Sequence, residues 1–237
     1  MNTEIELKFL VLESSEAKQT AEKITELLTA KKFSFVSQKK ELNNSYFDTS
    51  DLALRGQDKG LRIRTSIDSF GNKHLEQTIK TAGTVVGGLH QRPEYNVDIT
   101  TNFPELSLFP QNIWPKSQNV SDLQDELLSL FTTNFQRLIW LITIENNEHE
   151  ETVIELVFDQ GVIKSNGNEE SICEIELELV KGNVDELLSL AKVLCFGLLV
   201  RPGIKSKAAR GYALSNEKSL QIVKRNVDNF DLLGLAL

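Results

Sequence analysis

Residues Glu4 to Phe9 alternate without exception between charged and apolar side chains. Glu4, Glu6 and Lys8 share one parity, and Ile5, Leu7 and Phe9 share the other. Period two is the period of a β-strand, so this segment has one ionic face and one apolar face. Alone it would suit the solvated face of an edge strand. The pattern returns near the other end as Cys173-Glu174-Ile175-Glu176-Leu177-Glu178-Leu179, with three carboxylates on one face. Like charges side by side on a sheet repel unless cations screen them. Paired hard oxygen ligands are also what Mg2+ and Mn2+ prefer. Between the two acidic strands stands a basic pair at the same spacing, Arg62-Ile63-Arg64. If acidic and basic stripes face one interior, that interior suits a metal-complexed polyanion.

Composition narrows the choices. The chain has 237 residues with formal net charge −8, which argues against a general nucleic-acid binder. No apolar run reaches membrane-spanning length, and the charged N-terminus is unlike a secretory signal. Cys173 and Cys195 fit no zinc motif and read as reduced, buried thiols of a cytoplasmic protein. His74, His90 and His149 have no catalytic partner at motif spacing, and no Walker-type glycine loop is present.

Glu13 to Glu16 can cap an amphipathic helix to about Lys32, with Ala17, Ala21, Ile24, Leu27 and Leu28 on one side. Strands follow over about 33–47, 60–65 and 73–80, with a turn at Ser69 to Asn72 and a short helical piece after Ser50. Gly83, Gly87 and Gly88 lead into a strand over 89–98, where Pro93 predicts an edge or an irregularity. Pro104, Pro110 and Pro115 predict a surface excursion over 101–118. Ser121 caps a helix from Asp122 to about Phe131. A strand covers 135–142, and another runs over 153–159 until Gln160-Gly161 breaks it. A helix from about Val184 to Leu198 follows the acidic strand, its stripe formed by Leu187, Leu188, Ala191, Leu194 and Cys195. Arg201, Lys205, Lys207 and Arg210 form a late basic run. Leu220, Val223, Val227, Phe230 and Leu233 approximate a helical stripe in the tail.

Taken in order, Glu4-x-Glu6-x-Lys8, Tyr46-Phe47-Asp48-Thr49, Arg62-Ile63-Arg64, Arg92-Pro93-Glu94-Tyr95-Asn96 and Glu174-Ile175-Glu176-Leu177-Glu178 resemble the CYTH family, or triphosphate tunnel metalloenzymes. The resemblance covers roughly residues 3 to 214. It implies an α+β, mainly antiparallel fold: a closed eight-stranded β-barrel with helices packed outside. A small barrel normally fills with apolar side chains, so charged inner faces require a wet tunnel with paired or ligand-bound charges. The domain expectation is a tunnel domain over 1–216. Residues 217–237 are then a terminal helix or a linker to an absent domain, such as the helical CHAD domain fused to some bacterial relatives.

The resemblance implies divalent-metal-dependent hydrolysis of a triphosphate, with Mg2+ or Mn2+ in a two-metal site. Glu4, Glu6, Glu174 and Glu176 are candidate metal ligands, joined by Asp159, Glu94 and Glu178. Lys8, Arg62, Arg64, Lys80, Arg92, Arg137, Lys205, Lys207 and Arg210 are candidate triphosphate ligands, and Glu4, Glu6, Lys8 and Glu176 the catalytic core. Where the family carries a third charge in the 89–98 strand, this chain has Asn96. The bacterial inorganic triphosphatases are the nearest in appearance, through Ser206-Lys207-x-x-Arg210-Gly211-Tyr212 among others. Thiamine triphosphatase, adenylate cyclase and a non-catalytic polyphosphate-binding module remain the alternatives.

Overall fold

The computed structural model describes residues 2–12, 17–67, 71, 73–86, 89–145 and 150–215. In chain order the elements are β1 (Asn2–Val11), α1 (Ala17–Ala30), β2 (Ser34–Asp48), α2 (Ala53–Gly56), β3 (Gly60–Ile67), β4 (Lys73–Lys80), β5 (Thr84–Val86) and β6 (Leu89–Asp98). Then come α3 (Val120–Asp125), β7 (Leu128–Glu145), β8 (Glu151–Ser165), β9 (Asn168–Lys181), α4 (Val184–Gly197), β10 (Val200–Pro202) and α5, a helix over residues 207–215. The helix cap at 13–16 and the tail stripe fall outside the described residues, as do His149 and all of the 69–72 turn except Gly71.

Eight strands close into an antiparallel ring in the order β1-β9-β8-β7-β2-β3-β4-β6, and β6 pairs back onto β1 from Asn2↔Glu94 to Leu7↔Leu89. Closure removes the open edges that a flat sheet would expose. β10 extends the pairing along β1, and β5 extends it along β6. Pro93 is therefore not on a free edge. On one side it faces Thr3 of β1; on the other, β4 pairs with 94–98 and β5 with 89–91. The missing N–H falls in the gap between those two pairings.

Apolar parities pack outside the ring. Leu7, Phe9, Ile154, Leu156, Ile175 and Leu177 bury against α1 and α4 through Ile24, Leu28, Leu187, Leu190, Ala191 and Leu194. On the opposite side Leu61, Ile63 and Ile79 pack under Leu106, Phe109, Trp114 and Leu123. The proline-rich 101–118 stretch is thus a core-forming cover, not a surface excursion, because its aromatic and leucine side chains shield β3 and β4. A third cluster sits at one end of the interior. Tyr46 stacks on Phe131 with ring centroids 4.5 Å apart, and Tyr212 of α5 meets Phe131 edge-on at 5.2 Å.

Several local expectations need correction. α3 ends at Asp125 and is capped by Asn119, whose side chain accepts from the Ser121 N–H; Leu128–Phe131 already belong to β7. β8 runs through Gly161 to Ser165. A Cβ at Gly161 would stand 2.1 Å from the Asn134 carbonyl oxygen, so this glycine allows close strand approach instead of ending the strand. On α4, Leu190 is buried and Leu188 exposed; Cys195 is exposed and Cys173 of β9 half-buried, so neither thiol is buried as expected. Among the described residues no helix is long and apolar enough to cross a membrane.

Candidate active site

The ionic parities point into the ring. Glu4, Glu6 and Lys8 are only 7%, 4% and 2% exposed, which settles that the charged face of β1 is the inner one. The interior encloses a cavity of about 470 Å³. Among the described residues nine cationic and seven acidic side chains line it. The register explains the convergence: Leu10, Glu174 and Asp159 are successive cross-strand neighbours, and Asp159 faces Arg137. One step along, Lys8 faces Glu176; one step further, Glu178 lies between Glu6 and Glu155.

The first group is a dense ion-pair cluster. Arg137 grips Asp159 with two bonds of 2.7 Å and reaches Glu176 at 2.9 Å. Lys207 lies 2.7 Å from Asp159 and 3.0 Å from Glu176, and also contacts Glu174. Lys8 bonds Glu174 at 3.1 Å and pairs with Glu176. Arg210 reaches Glu174 at 2.9 Å and Glu170 at 2.6 Å. Burial alone would drive the Lys8 ammonium down, but Glu176, Glu174 and Glu6 hold it well above its ordinary value. Burial likewise opposes ionisation of Glu176, yet Lys207, Lys8 and Arg137 keep its carboxyl well below the usual range. Asp159 is depressed against its burial by Arg137 and Lys207. Such a cluster is tolerable in low dielectric because its buried charges have several partners.

The second group lies across β1, β4 and β6. Lys80 bonds both oxygens of Glu4 at 2.6 and 2.7 Å and sits 2.8 Å from Glu94. Arg92 reaches Glu4 at 3.4 Å, and Arg62 stands 4.0 Å from Glu94. Burial would raise the Glu94 carboxyl, but Lys80 and Arg62 bring it down to about 2. Arg64 differs. Its Nε donates to Asn44 Oδ1 at 3.0 Å, and among the described residues no carboxylate is in ion-pair reach. Burial, followed by repulsion from Arg62 and Arg137, pushes its guanidinium down to about 9, only partly offset by Tyr46 and Glu76, so at neutral pH it remains a cation with no ion-pair partner among the described residues.

The third group is the carboxylate row Glu6-Glu178-Glu155. Burial pushes Glu178 up to about 7, and the charge of Glu4 adds to it. Among the described residues Glu178 has no ion pair, and the nearest cations to Glu6 and Glu155 are Lys8 at 3.8 Å and Arg137 at 4.0 Å. Opposed carboxylates with so few close cations are destabilising in a sheet, and a hard divalent ion fits that donor set. A second set of acidic oxygens, those of Asp159, Glu174 and Glu176, lies within 4.8 Å of one another, but cations already surround it.

Of the residues singled out in the sequence, Lys205 does not join the others: it is exposed and off the cavity wall. Arg210, Glu174 and Asp159 also stay off the wall, tied to it through Lys8, Arg137 and Lys207. The sequence reading missed Glu155, although it shares the parity of Asp159, and missed Arg55, Asp58 and Lys59, which no alternation marks. His90 is buried, its Nε2 3.2 Å from the Gly203 carbonyl oxygen, a structural contact.

Residues 2–212 match the CYTH domain model. The chain belongs to the CYTH domain family. It is 37% identical over 179 residues to the inorganic triphosphatase of Haemophilus influenzae, a match covering 76% of this chain and 47% of that protein. The chain thus spans about half the length of this curated relative. Among solved structures it resembles HpAC1 of Hippeastrum, a protein described as revealing a dominant triphosphatase activity (TM-score 0.57, 20% identity, 89% of this chain and 95% of that one). It also resembles the PH1819 protein of Pyrococcus horikoshii OT3 (TM-score 0.52, 18% identity, 86% and 94%). At those identities the two structures speak for the CYTH fold alone.

Proposed function

We propose that the chain hydrolyses inorganic triphosphate to pyrophosphate and phosphate inside the ring, with a divalent cation. The observation that carries this reading is an inversion of charge. A chain of net charge −8 turns nine cationic residues toward one cavity, and Arg64 waits there with no ion-pair partner among the described residues. Similarity to an inorganic triphosphatase supports triphosphate as the substrate class.

In this reading Arg62 and Arg64 each present a planar fork to phosphate oxygens. Bound phosphate competes with Glu4 and Glu94 for Lys80 and Arg92. Lys8, held protonated by its carboxylates, cannot serve as a base; with Arg137 and Lys207 it holds positive charge beside the departing pyrophosphate. Glu6 and Glu178, with Glu4 and Glu155 beside them, would hold Mg2+ or Mn2+, and Asp159, Glu174 and Glu176 would offer the second position. Such a cation supplies neutralisation of phosphate charge and a more acidic water. Glu94, already committed to Lys80 and Arg62, orients those cations instead. Residues 1–216 then form the catalytic domain.

The test is a phosphate-release screen over triphosphate, pyrophosphate, thiamine triphosphate and ATP with Mg2+ or Mn2+. We expect the highest kcat/KM for triphosphate and none in excess chelator. Cyclic AMP as the main product from ATP, or full activity in chelator, would overturn the reading.

A further inference from the structure

Besides Arg64, two other cations on the cavity wall have no carboxylate in ion-pair reach among the described residues: Arg55 and Lys59. Both come from the segment joining β2 to β3. Lys59 is buried, and among the described residues its ammonium donates to the neutral Oε1 of Gln57 alone, at 2.8 Å, while lying 5.8 Å from the centre of the Trp114 ring. Arg55 is exposed, with its guanidinium 4.6 Å over the Tyr212 ring. Burial lowers the Lys59 ammonium although the Asp58 charge opposes this, so its charged form is costly in the empty state and gains when an anion arrives.

The segment is also held in place. The buried carboxylate of Asp48 accepts the N–H groups of Thr49 and Leu54 at 2.8 Å and of Arg55 at 3.0 Å. It accepts the Tyr212 hydroxyl at 2.9 Å as well. Leu54 is fully buried, and its carbonyl takes the Lys59 N–H at 2.9 Å. Leu52 and Asp58, on either side of α2, have φ of 60° and 53°, a strained backbone that only firm surroundings maintain. The backbone that carries both cations is therefore already ordered before an anion binds.

We propose that Arg55 and Lys59 form a further anion subsite, at the solvent-facing end of the cavity, that receives the end phosphate of a linear polyphosphate and so discriminates chains by length. The proposal rests on reading the cavity as a polyphosphate site. Along β3, at the usual rise per residue, Gly60 stands about 7 Å from Arg62 and about 13 Å from Arg64. A short anion held by Arg62 and Arg64 stops before Arg55 and Lys59, whereas a longer chain spans them.

The experiment compares the wild type with Arg55→Gln, Lys59→Met and, as a control, Lys192→Met, which removes one exposed charge on α4. The readouts are KM and kcat for triphosphate, and the pyrophosphate and triphosphate concentrations giving half the maximal rise in melting temperature. We expect each site variant to need about tenfold more triphosphate and less than about twofold more pyrophosphate. The loss should fall on KM more than on kcat, with the control unchanged. Lys59→Arg and Arg55→Lys, which keep the charge, should retain affinity within about threefold. Wild-type triphosphate response with unaltered neutral variants overturns the subsite alone. Equal loss in the control, in the charge-preserving variants or toward pyrophosphate also overturns it. A wild type that neither binds nor cleaves triphosphate overturns the polyphosphate reading itself.

Discussion

Arg64 meets an amide where its neighbours meet carboxylates: its Nε donates to Asn44 Oδ1, while Asn44 Nδ2 donates onward to Thr133 Oγ1 at 2.9 Å. The pair orients a guanidinium without neutralising it. Arg64→Ala should therefore leave the free protein equally stable or up to about 1 kcal/mol more stable, since repulsion from Arg62 and Arg137 is relieved. Triphosphate turnover should fall about tenfold to hundredfold in kcat/KM, the worth of a lost charge-assisted contact. Thermal melting with and without triphosphate, together with steady-state kinetics, decides. Near-wild-type turnover and an unchanged melting response would show that Arg64 does not meet substrate.

Asp159→Asn should do the reverse. It leaves Arg137 and Lys207 facing Glu176 and Glu174 with one negative charge fewer in a dry wall. Breaking such a cluster by removing one member typically costs about 3–5 kcal/mol. Denaturant unfolding of the free protein checks it. A loss below about 1 kcal/mol would mean the cluster is far more hydrated than its burial indicates.

The ring and its inner face were legible because alternation at period two survives closure: the parity that carries Glu4, Glu6 and Lys8 is the parity that points inward. Pairing order was not legible, since nothing in Arg92-Pro93-Glu94 says that β6 turns from β4 to β1. The candidate site was legible where charges alternate on strands. Arg55 and Lys59 escaped because their position depends on a turn anchored by Asp48 and Tyr212, 164 residues apart. Gly161 misled because a glycine that lets strands approach looks, in sequence, like one that ends a strand.

Glu178 gives a pH signature. Its carboxyl is pushed up to about 7 in the folded chain, above an ordinary value of 4.5. The native state therefore prefers the protonated form, and ionising it opposes folding. Through this group, stability is full below about pH 4.5 and declines as pH rises toward 7. In chelator, Glu178→Gln should be about 1–2 kcal/mol more stable than the wild type at pH 8 and nearly equal at pH 4. Added Mg2+ or Mn2+ should narrow the gap at pH 8 by stabilising only the wild type. Melting curves across pH test this, and a pH-independent difference would contradict the assignment.

The last prediction separates positioning from contact. The Tyr212 hydroxyl donates to Asp48 Oδ2 while its ring carries Arg55, and burial followed by the Asp48 charge pushes the phenol far above its ordinary value. The hydroxyl is thus a neutral donor at every working pH. Tyr212→Phe keeps the ring, its edge-on contact with Phe131 and the stacking surface for Arg55. It removes one of the four donors to a buried carboxylate, which should cost about 1–3 kcal/mol. Triphosphate kcat/KM should then fall by less than about threefold, because three backbone N–H bonds still hold the turn. Tyr212→Ala removes the ring as well, so it should add a cavity cost of about 3–5 kcal/mol and loosen Arg55. Its KM for triphosphate should rise by about the tenfold expected of Arg55→Gln. Melting temperature and KM measured on the same pair of variants test the division. If Tyr212→Phe raises KM as much as Tyr212→Ala does, the hydroxyl itself meets substrate, and its role in anchoring Asp48 is secondary.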